Sequence, residues 1–260
     1  MITETAKVIS QEKLAEGIYS MWIDTAVANE AKAGQFVAIY PQNASTLLQR
    51  PISICEIEDN AIRIVYRVVG KGTDELSRYS SGDPIRLLGP CGNGFDKDIL
   101  NSNETALLIG GGIGVPPMLE FGKELKKQGK TFYFVMGYRN SDLFLYDEFV
   151  AVAGKENVLI ATEDGSVGVK GNVLDAITSA EIRVDKIFSC GPMPMLRALK
   201  KYSEEKGIEA YISLEERMAC GVGACLGCVC KTTKKDHHSQ VNNARVCVEG
   251  PVFKAEDVEI

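Results

Sequence analysis

Two rhythms of apolar and polar residues divide the chain. In the first hundred residues the apolar positions come as short runs rich in β-branched and aromatic types, at 36–40 (FVAIY), 62–69 (IRIVYRVV) and 84–90 (PIRLLGP). Turn formers at Ala33-Gly34, Asp59-Asn60 and Gly82-Asp83 separate them, a spacing that predicts a small, closed antiparallel β-barrel over 1–100. The stretch 72–83 breaks the pattern, and there Thr73 or Asp74 caps one short helix before a Gly-Asp turn.

From about Thr105 strands and helices alternate. Apolar runs at 106–110, 131–137, 157–163, 186–191 and 209–214 read as strands, and helical patterns fall at 116–128, 171–180 and 192–207, the last with proline at its start and Gly207 beyond its end. This repetition predicts a mainly parallel sheet with helices on both faces over 101–214, with turn-rich 89–104 as the boundary segment. After Glu215 too few apolar residues remain for a separate core, so 215–260 is expected to depend on a ligand for its order. No internal repeat is visible.

Composition narrows the classes. Of 260 residues, 45% are hydrophobic and 25% charged, ordinary values for a folded protein. The net charge of −6 provides no positive field for nucleic acid or an anionic membrane, so the partners expected are small molecules or proteins. No apolar run reaches the roughly 18 residues of a spanning helix, and the first residues, MITETAKVISQEKL, lack a basic and then an apolar region. The expectation is a soluble cytoplasmic protein.

The eight cysteines carry more information, because five fall in the last 41 residues. Clustering of this kind points to metal or redox chemistry rather than a disulfide framework. Isolated Cys55 and Cys91 read as small buried hydrophobes. In the tail, Cys220-x4-Cys225-x2-Cys228 is followed by Cys247, the plant-type spacing of a 2Fe-2S cluster. Glycines 221, 223 and 227 let three thiolates converge and expose N–H groups to their sulfurs. Zinc is the competing ligand, with Cys225, Cys228, His237 and His238 as donors, although the histidine pair fits a solvated loop better. Cys230 falls outside the pattern and reads as a packed thiol.

A buried strand runs into Gly110-Gly111-Gly112-Ile113-Gly114 and then a helix, so that a pyrophosphate can approach backbone N–H groups at the helix start. A proline replaces the third glycine of the dinucleotide fingerprint, which leaves tight packing as the alternative. A second strand end, Cys190-Gly191-Pro192, supports the ligand reading, since open α/β sheets bind ligands at such ends. Glu163 and Asp164 end another strand, where carboxylates suit ribose hydroxyls and repel a 2′-phosphate, favouring NAD over NADP.

A nicotinamide moves two electrons as hydride and a 2Fe-2S cluster moves one. A chain carrying both needs a centre stable in one- and two-electron states, and flavin is the common answer. Arg50-Pro51-Ile52-Ser53 provides a guanidinium for a pyrophosphate and a hydroxyl for the ring, and 66–73 (YRVVGKGT) leads from a strand into the short helix.

Taken in order, RPIS, YRVVGKGT, GGGIGVPPM, CGPMPM and CGVGACLGC resemble the ferredoxin-NADP reductase superfamily over nearly the whole chain. Within it they are most similar to the electron-transfer subunits of bacterial NAD-dependent dihydroorotate dehydrogenases. The resemblance implies an FAD barrel, an NAD domain and a C-terminal 2Fe-2S domain, working with a separate FMN-containing dihydroorotate dehydrogenase catalytic subunit in pyrimidine biosynthesis, two of each chain. It also implies that Arg50, Pro51, Ile52, Ser53, Val65, Tyr66, Arg67, Gly72 and Thr73 touch FAD. Cys220, Cys225, Cys228 and Cys247 would hold the cluster, and Cys190 would sit beside the nicotinamide, shaping hydride transfer without acting as a nucleophile. Related reductase subunits of bifurcating transhydrogenases, sulfite reductases or hydrogenases share these motifs. A redox-sensing binding protein is the alternative from another class.

Overall fold

The computed structural model describes residues 1–43, 45–235 and 240–260. Six antiparallel strands close a barrel: β1 (Ile2–Ala15), β2 (Ile18–Asp24), β3 (Phe36–Tyr40), β4 (Arg50–Glu58), β5 (Ala61–Arg67) and β6 (Pro84–Cys91), in the order β1-β2-β5-β4-β3-β6. The barrel interior is apolar, with Met21, Ile23, Ile39, Ile54, Ile62, Ile64 and Ile85 fully buried. β1 has little hydrophobic signature, since Ala6 and Val8 are its buried residues. Pairing to β2 on one side and β6 on the other holds it.

The short helix α1 (Lys71–Leu76) starts three or four residues earlier than a Thr73 or Asp74 cap would place it. Gly70 is its N-cap, and Thr73 reaches back from inside the first turn, Oγ1 accepting from Val69 N at 2.9 Å and Gly70 N at 3.2 Å. Neither Thr73 nor Asp74 is therefore the N-cap; Thr73 closes the first turn from its third position.

The second unit contains β7 (Thr105–Gly111), α2 (Pro117–Lys127), β8 (Thr131–Tyr138), α3 (Tyr146–Ala153), β9 (Val158–Thr162), β10 (Val169–Lys170), α4 (Val173–Ala180), β11 (Lys186–Cys190), α5 (Met193–Lys206) and β12 (Glu209–Ser213). Its sheet runs β10-β9-β8-β7-β11-β12 in parallel, and the strand order reverses between β7 and β11. Ligands bind beyond the C-terminal strand ends at such a reversal. Those ends are Gly110-Gly111 and Cys190, paired with each other at Cys190 and Gly110.

The tail adds a small ladder, β13 (Val229–Lys231) with β14 (Asn243–Arg245), and a strand β15 (Val252–Lys254) that extends the parallel sheet antiparallel to β12. It has no core to itself. Cys228, Cys230, Val246 and Cys247 share one apolar cluster with Leu107, Ile187 and Ile212 of the sheet and with Phe36 and Leu88 of the barrel. The turn-rich boundary segment serves as its dock, because Asn93 N donates to Gly250 O at 2.7 Å and Asn93 Nδ2 to Glu249 O at 2.8 Å.

Candidate functional site

The strand ends open into a cleft of about 910 Å3 between barrel and sheet. Its floor is the glycine turn. Gly112 has φ +53°, and a methyl group at Gly114 would lie 2.5 Å from the Cys190 carbonyl carbon, so the two loops pack too closely for a side chain. A methyl at Gly110 would likewise meet Val115 Cα at 2.6 Å. The glycines therefore serve packing and ligand approach together. α2 begins just beyond, with Pro116 as its N-cap.

Several residues singled out from the sequence meet on the cleft wall: Arg67, Gly111, Gly112, Glu163, Gly191 and Pro192. Asp164 has another task, its Oδ1 accepting from Ser166 N at 2.9 Å and Ser166 Oγ at 2.7 Å to fix the turn. Cys190 is buried beneath the wall, and desolvation, with the Glu215 carboxylate nearby, pushes its thiol up to about 12. A thiol so protonated is a neutral packing group at physiological pH.

Arg50, Pro51, Ile52 and Ser53 open β4. The Arg50 side chain folds over Gly72, where a methyl group would come within 2.7 Å of its guanidinium carbon. Arg50 Nη1 donates to Leu48 O at 2.5 Å. Pro51 is exposed, Ser53 half-buried, and Ile52 turns into the barrel core. Val65 packs in the seam between the units, and the Tyr66 ring turns into the barrel, with its hydroxyl donating to Gln11 Oε1 at 2.8 Å.

Among the cleft residues that sequence reasoning passed over are Arg139 after β8, Asn172 before α4, and Glu215 after β12. All follow C-terminal strand ends or precede helices, and the rule for open sheets would have found them. Although Glu215 faces the cleft, the protein crowded around its carboxyl raises its pKa above the usual range.

The cysteine loop is folded by backbone geometry. Gly221 and Gly223 take φ of +70° and +77°. Gly227 does not; Leu226 takes the left-handed conformation, at +56°, and Gly227 is instead needed for room, since a methyl there would approach Cys225 Sγ to 3.3 Å. Backbone N–H groups point at the sulfurs: Val222 and Cys225 donate to Cys220 Sγ at 3.4 Å each, Gly223 to Cys247 Sγ at 3.2 Å, and Gly227 to Cys225 Sγ at 3.4 Å. The donor from Val222, with that from Cys225, brings Cys220 down to about 6. Burial, then its contact with Cys228, pushes Cys247 up to about 12.

Cys220 thus feels Cys225 most among the thiols, and Cys247 feels Cys228. Among the described residues no three such side chains converge as a single ion requires. Two thiol pairs ringed by N–H donors are a donor set suited to a two-iron cluster. Cys230 lies in the apolar cluster behind the loop, its thiol pushed up to about 11 by burial. His237 and His238 lie outside the described residues.

The comparisons agree with this geometry. Residues 215–259 match the iron-sulfur cluster binding domain of dihydroorotate dehydrogenase B, and residues 108–201 match an oxidoreductase NAD-binding domain. The chain is 43% identical to the electron transfer subunit of dihydroorotate dehydrogenase B (NAD(+)) of Bacillus pumilus, over 97% of this chain and 96% of that one. To the corresponding subunit of Listeria monocytogenes it is 42% identical over the full length of both. Among solved structures, the NADH-dependent reduced ferredoxin-NADP oxidoreductase studied for flavin-based electron bifurcation superposes with a TM-score of 0.85 at 30% identity, covering 98% of this chain and 90% of that one. With barrel, switch-point cleft and cysteine loop in the same order and full-length identity above 40%, the chain belongs to the electron transfer subunits of dihydroorotate dehydrogenase B (NAD(+)).

Proposed function

We propose that this chain carries electrons from a catalytic dihydroorotate dehydrogenase subunit, through a 2Fe-2S cluster and FAD, to NAD. The observation that carries this reading is the pair of thiol pairs, with N–H groups directed at their sulfurs, on a loop packed against the barrel and the sheet that form the cleft. The four thiolates supply one-electron chemistry when loaded with iron. Cys220 and Cys225 are the more exposed ligands and Cys228 and Cys247 the buried ones, so the outer pair faces a partner.

The barrel residues fit a flavin nucleotide. Arg50, closed over side-chain-free Gly72, presents a guanidinium suited to a pyrophosphate, and Ser53 follows on the same strand. A flavin held there would supply hydride chemistry at the cleft, where Gly111, Gly112, Gly191 and Pro192 would line the nicotinamide side and bare backbone would accommodate the dinucleotide phosphates. Buried, protonated Cys190 supports that wall without a nucleophilic role. Glu163 on the cleft disfavours a 2′-phosphate and so favours NAD.

The partner would hold FMN and oxidise dihydroorotate, with two copies of each chain. Exposed apolar side chains on and beside the cluster loop, Val222, Leu226, Val248, Leu47 and Leu48, supply the docking surface. The 30% identity to the bifurcating oxidoreductase favours a second reading, a reductase that serves another partner.

Chemical analysis and spectroscopy test the cofactor assignment. The purified chain should contain two irons, two sulfides and one FAD, with a spin-half EPR signal after reduction. Serine at Cys220, Cys225, Cys228 or Cys247 should remove that signal, whereas Cys230→Ser should keep it. Stoichiometric zinc without iron in anaerobically prepared protein would overturn the cluster, and equal reduction rates with NADH and NADPH would overturn the role of Glu163.

A further inference from the structure

Between the Arg50 strand and the cysteine loop lies Gln49, 3% exposed. Neither its Nε2 nor its Oε1 has a hydrogen-bond partner among the described residues. A buried amide left unpaired is costly, and such groups in folded proteins mark places where the missing partner is something other than the chain. The amide is aimed at the cluster loop. A methyl group at Gly221 would collide with Nε2 and approach Oε1 to 3.7 Å, so bare Gly221 makes room for Gln49 immediately after Cys220. Arg50, the next residue, engages Gly72 and Leu48 O instead. The two neighbouring side chains thus turn to different loops.

The N–H donors already directed at the thiols come from the loop's own backbone, at Val222, Gly223, Cys225 and Gly227. Gln49 belongs to the barrel. We propose that Gln49 is a positioning residue whose Nε2, which reaches no thiol of the loop as it stands, would donate to a sulfur of the loaded cluster beside Cys220, tying the cluster loop to the strand that carries the flavin motif. This rests on the cluster reading of Cys220, Cys225, Cys228 and Cys247. A donor to sulfur stabilises the reduced, more negative cluster and so raises its potential.

The test uses the full chain loaded with FAD and iron. Gln49→Leu removes both amide groups at similar volume. The midpoint potential should move negative, so that at the wild-type midpoint the reduced-to-oxidised ratio falls about three- to tenfold, with altered g-values. Gln49→Glu, which substitutes a negative charge for the donor, should move it further the same way. Pulsed EPR on wild-type protein selectively labelled with side-chain 15N-glutamine should show one coupled amide nitrogen, without any substitution. An unmoved midpoint in Gln49→Leu, or absence of that coupling, overturns the proposal. Where Gln49→Leu does not fold, the labelled wild type decides alone. A wild-type preparation without iron and sulfide overturns the cluster reading as well, and that failure is recognised before any variant is made.

Discussion

The seam between barrel and sheet and the loop holding the four cysteines both join distant parts of the chain, by opposite means. At the seam, charge is buried. The Arg63 side chain, 6% exposed, bonds Glu56 at 2.6 Å, Ser20 Oγ at 2.7 Å and the carboxylate of Glu148 on α3, and Lys123 of α2 closes on the other oxygen of Glu56. Burial alone would lower the pKa of Arg63, but its bonds to Glu148 and Glu56 override it and keep the guanidinium charged. Alongside, Phe95 and Phe188 pack on Phe121 with centroids 5.0 and 4.8 Å away. At the loop, left-handed glycines and backbone N–H donors to the sulfurs set the shape, with Arg245 Nη1 donating to Gly223 O at 3.1 Å behind it. The seam is thus held by side-chain charges, whereas the loop is shaped by its backbone around four thiols.

Breaking the seam should cost most. Arg63→Met leaves Glu56, 8% exposed, without its arginine partner, and should destabilise the chain by about 3–5 kcal/mol in urea unfolding. The double variant Arg63→Met/Glu56→Leu, which removes both charges, should recover much of that loss. A single-variant cost below about 1 kcal/mol would place this network with ordinary surface pairs.

Arg50→Ala probes the flavin side without touching the seam. Loss of a charge-assisted contact to a pyrophosphate is worth on the order of 1.5–3 kcal/mol, one to two decades in FAD affinity. Equal FAD affinity in an equilibrium titration of wild type and variant would remove Arg50 from the site.

The smallest effect sharpens the contrast where tail and sheet meet. Glu209 on β12 bonds Lys186 at 2.7 Å and Lys254 of β15 at 2.6 Å, and these two partners, Lys186 first, hold its carboxyl down to about 2. A depressed carboxylate stabilises the fold above its unfolded value near 4.5 and loses that contribution as pH falls toward about 2. Glu209→Gln should therefore cost on the order of 1 kcal/mol at pH 7, after screening at this partly exposed site. The difference from wild type should shrink below pH 4.5. A pH-independent difference would assign the loss to packing.

The sequence was most legible where local rules act alone. Strand runs such as 36–40 and the alternation after Thr105 appear as β3 and as β7 to β12, because their apolar periods match their burial. The Cys220 to Cys228 spacing announced the loop because ligand convergence is a local constraint. β1 was invisible, since a strand held mainly by ladder hydrogen bonds and exposed on most positions carries no period-two signal. Arg63, Glu56 and Glu148 gave no hint of their network, as ion pairing 85 residues apart leaves no pattern in a single sequence. Glu215 and Gln49 were hidden for the same reason; each sits beside a motif but acquires its surroundings only in three dimensions.

The most direct test of electron transfer is reconstitution with the catalytic subunit. The purified chain and the FMN-containing dihydroorotate dehydrogenase subunit, mixed with dihydroorotate and NAD, should form NADH at a rate that neither gives alone. Cys225→Ser in this chain should abolish that rate while NADH oxidation by artificial dyes persists through the flavin. NADH formation from dihydroorotate by the isolated chain, or undiminished NADH formation by the complex lacking the cluster, would contradict the proposed electron path.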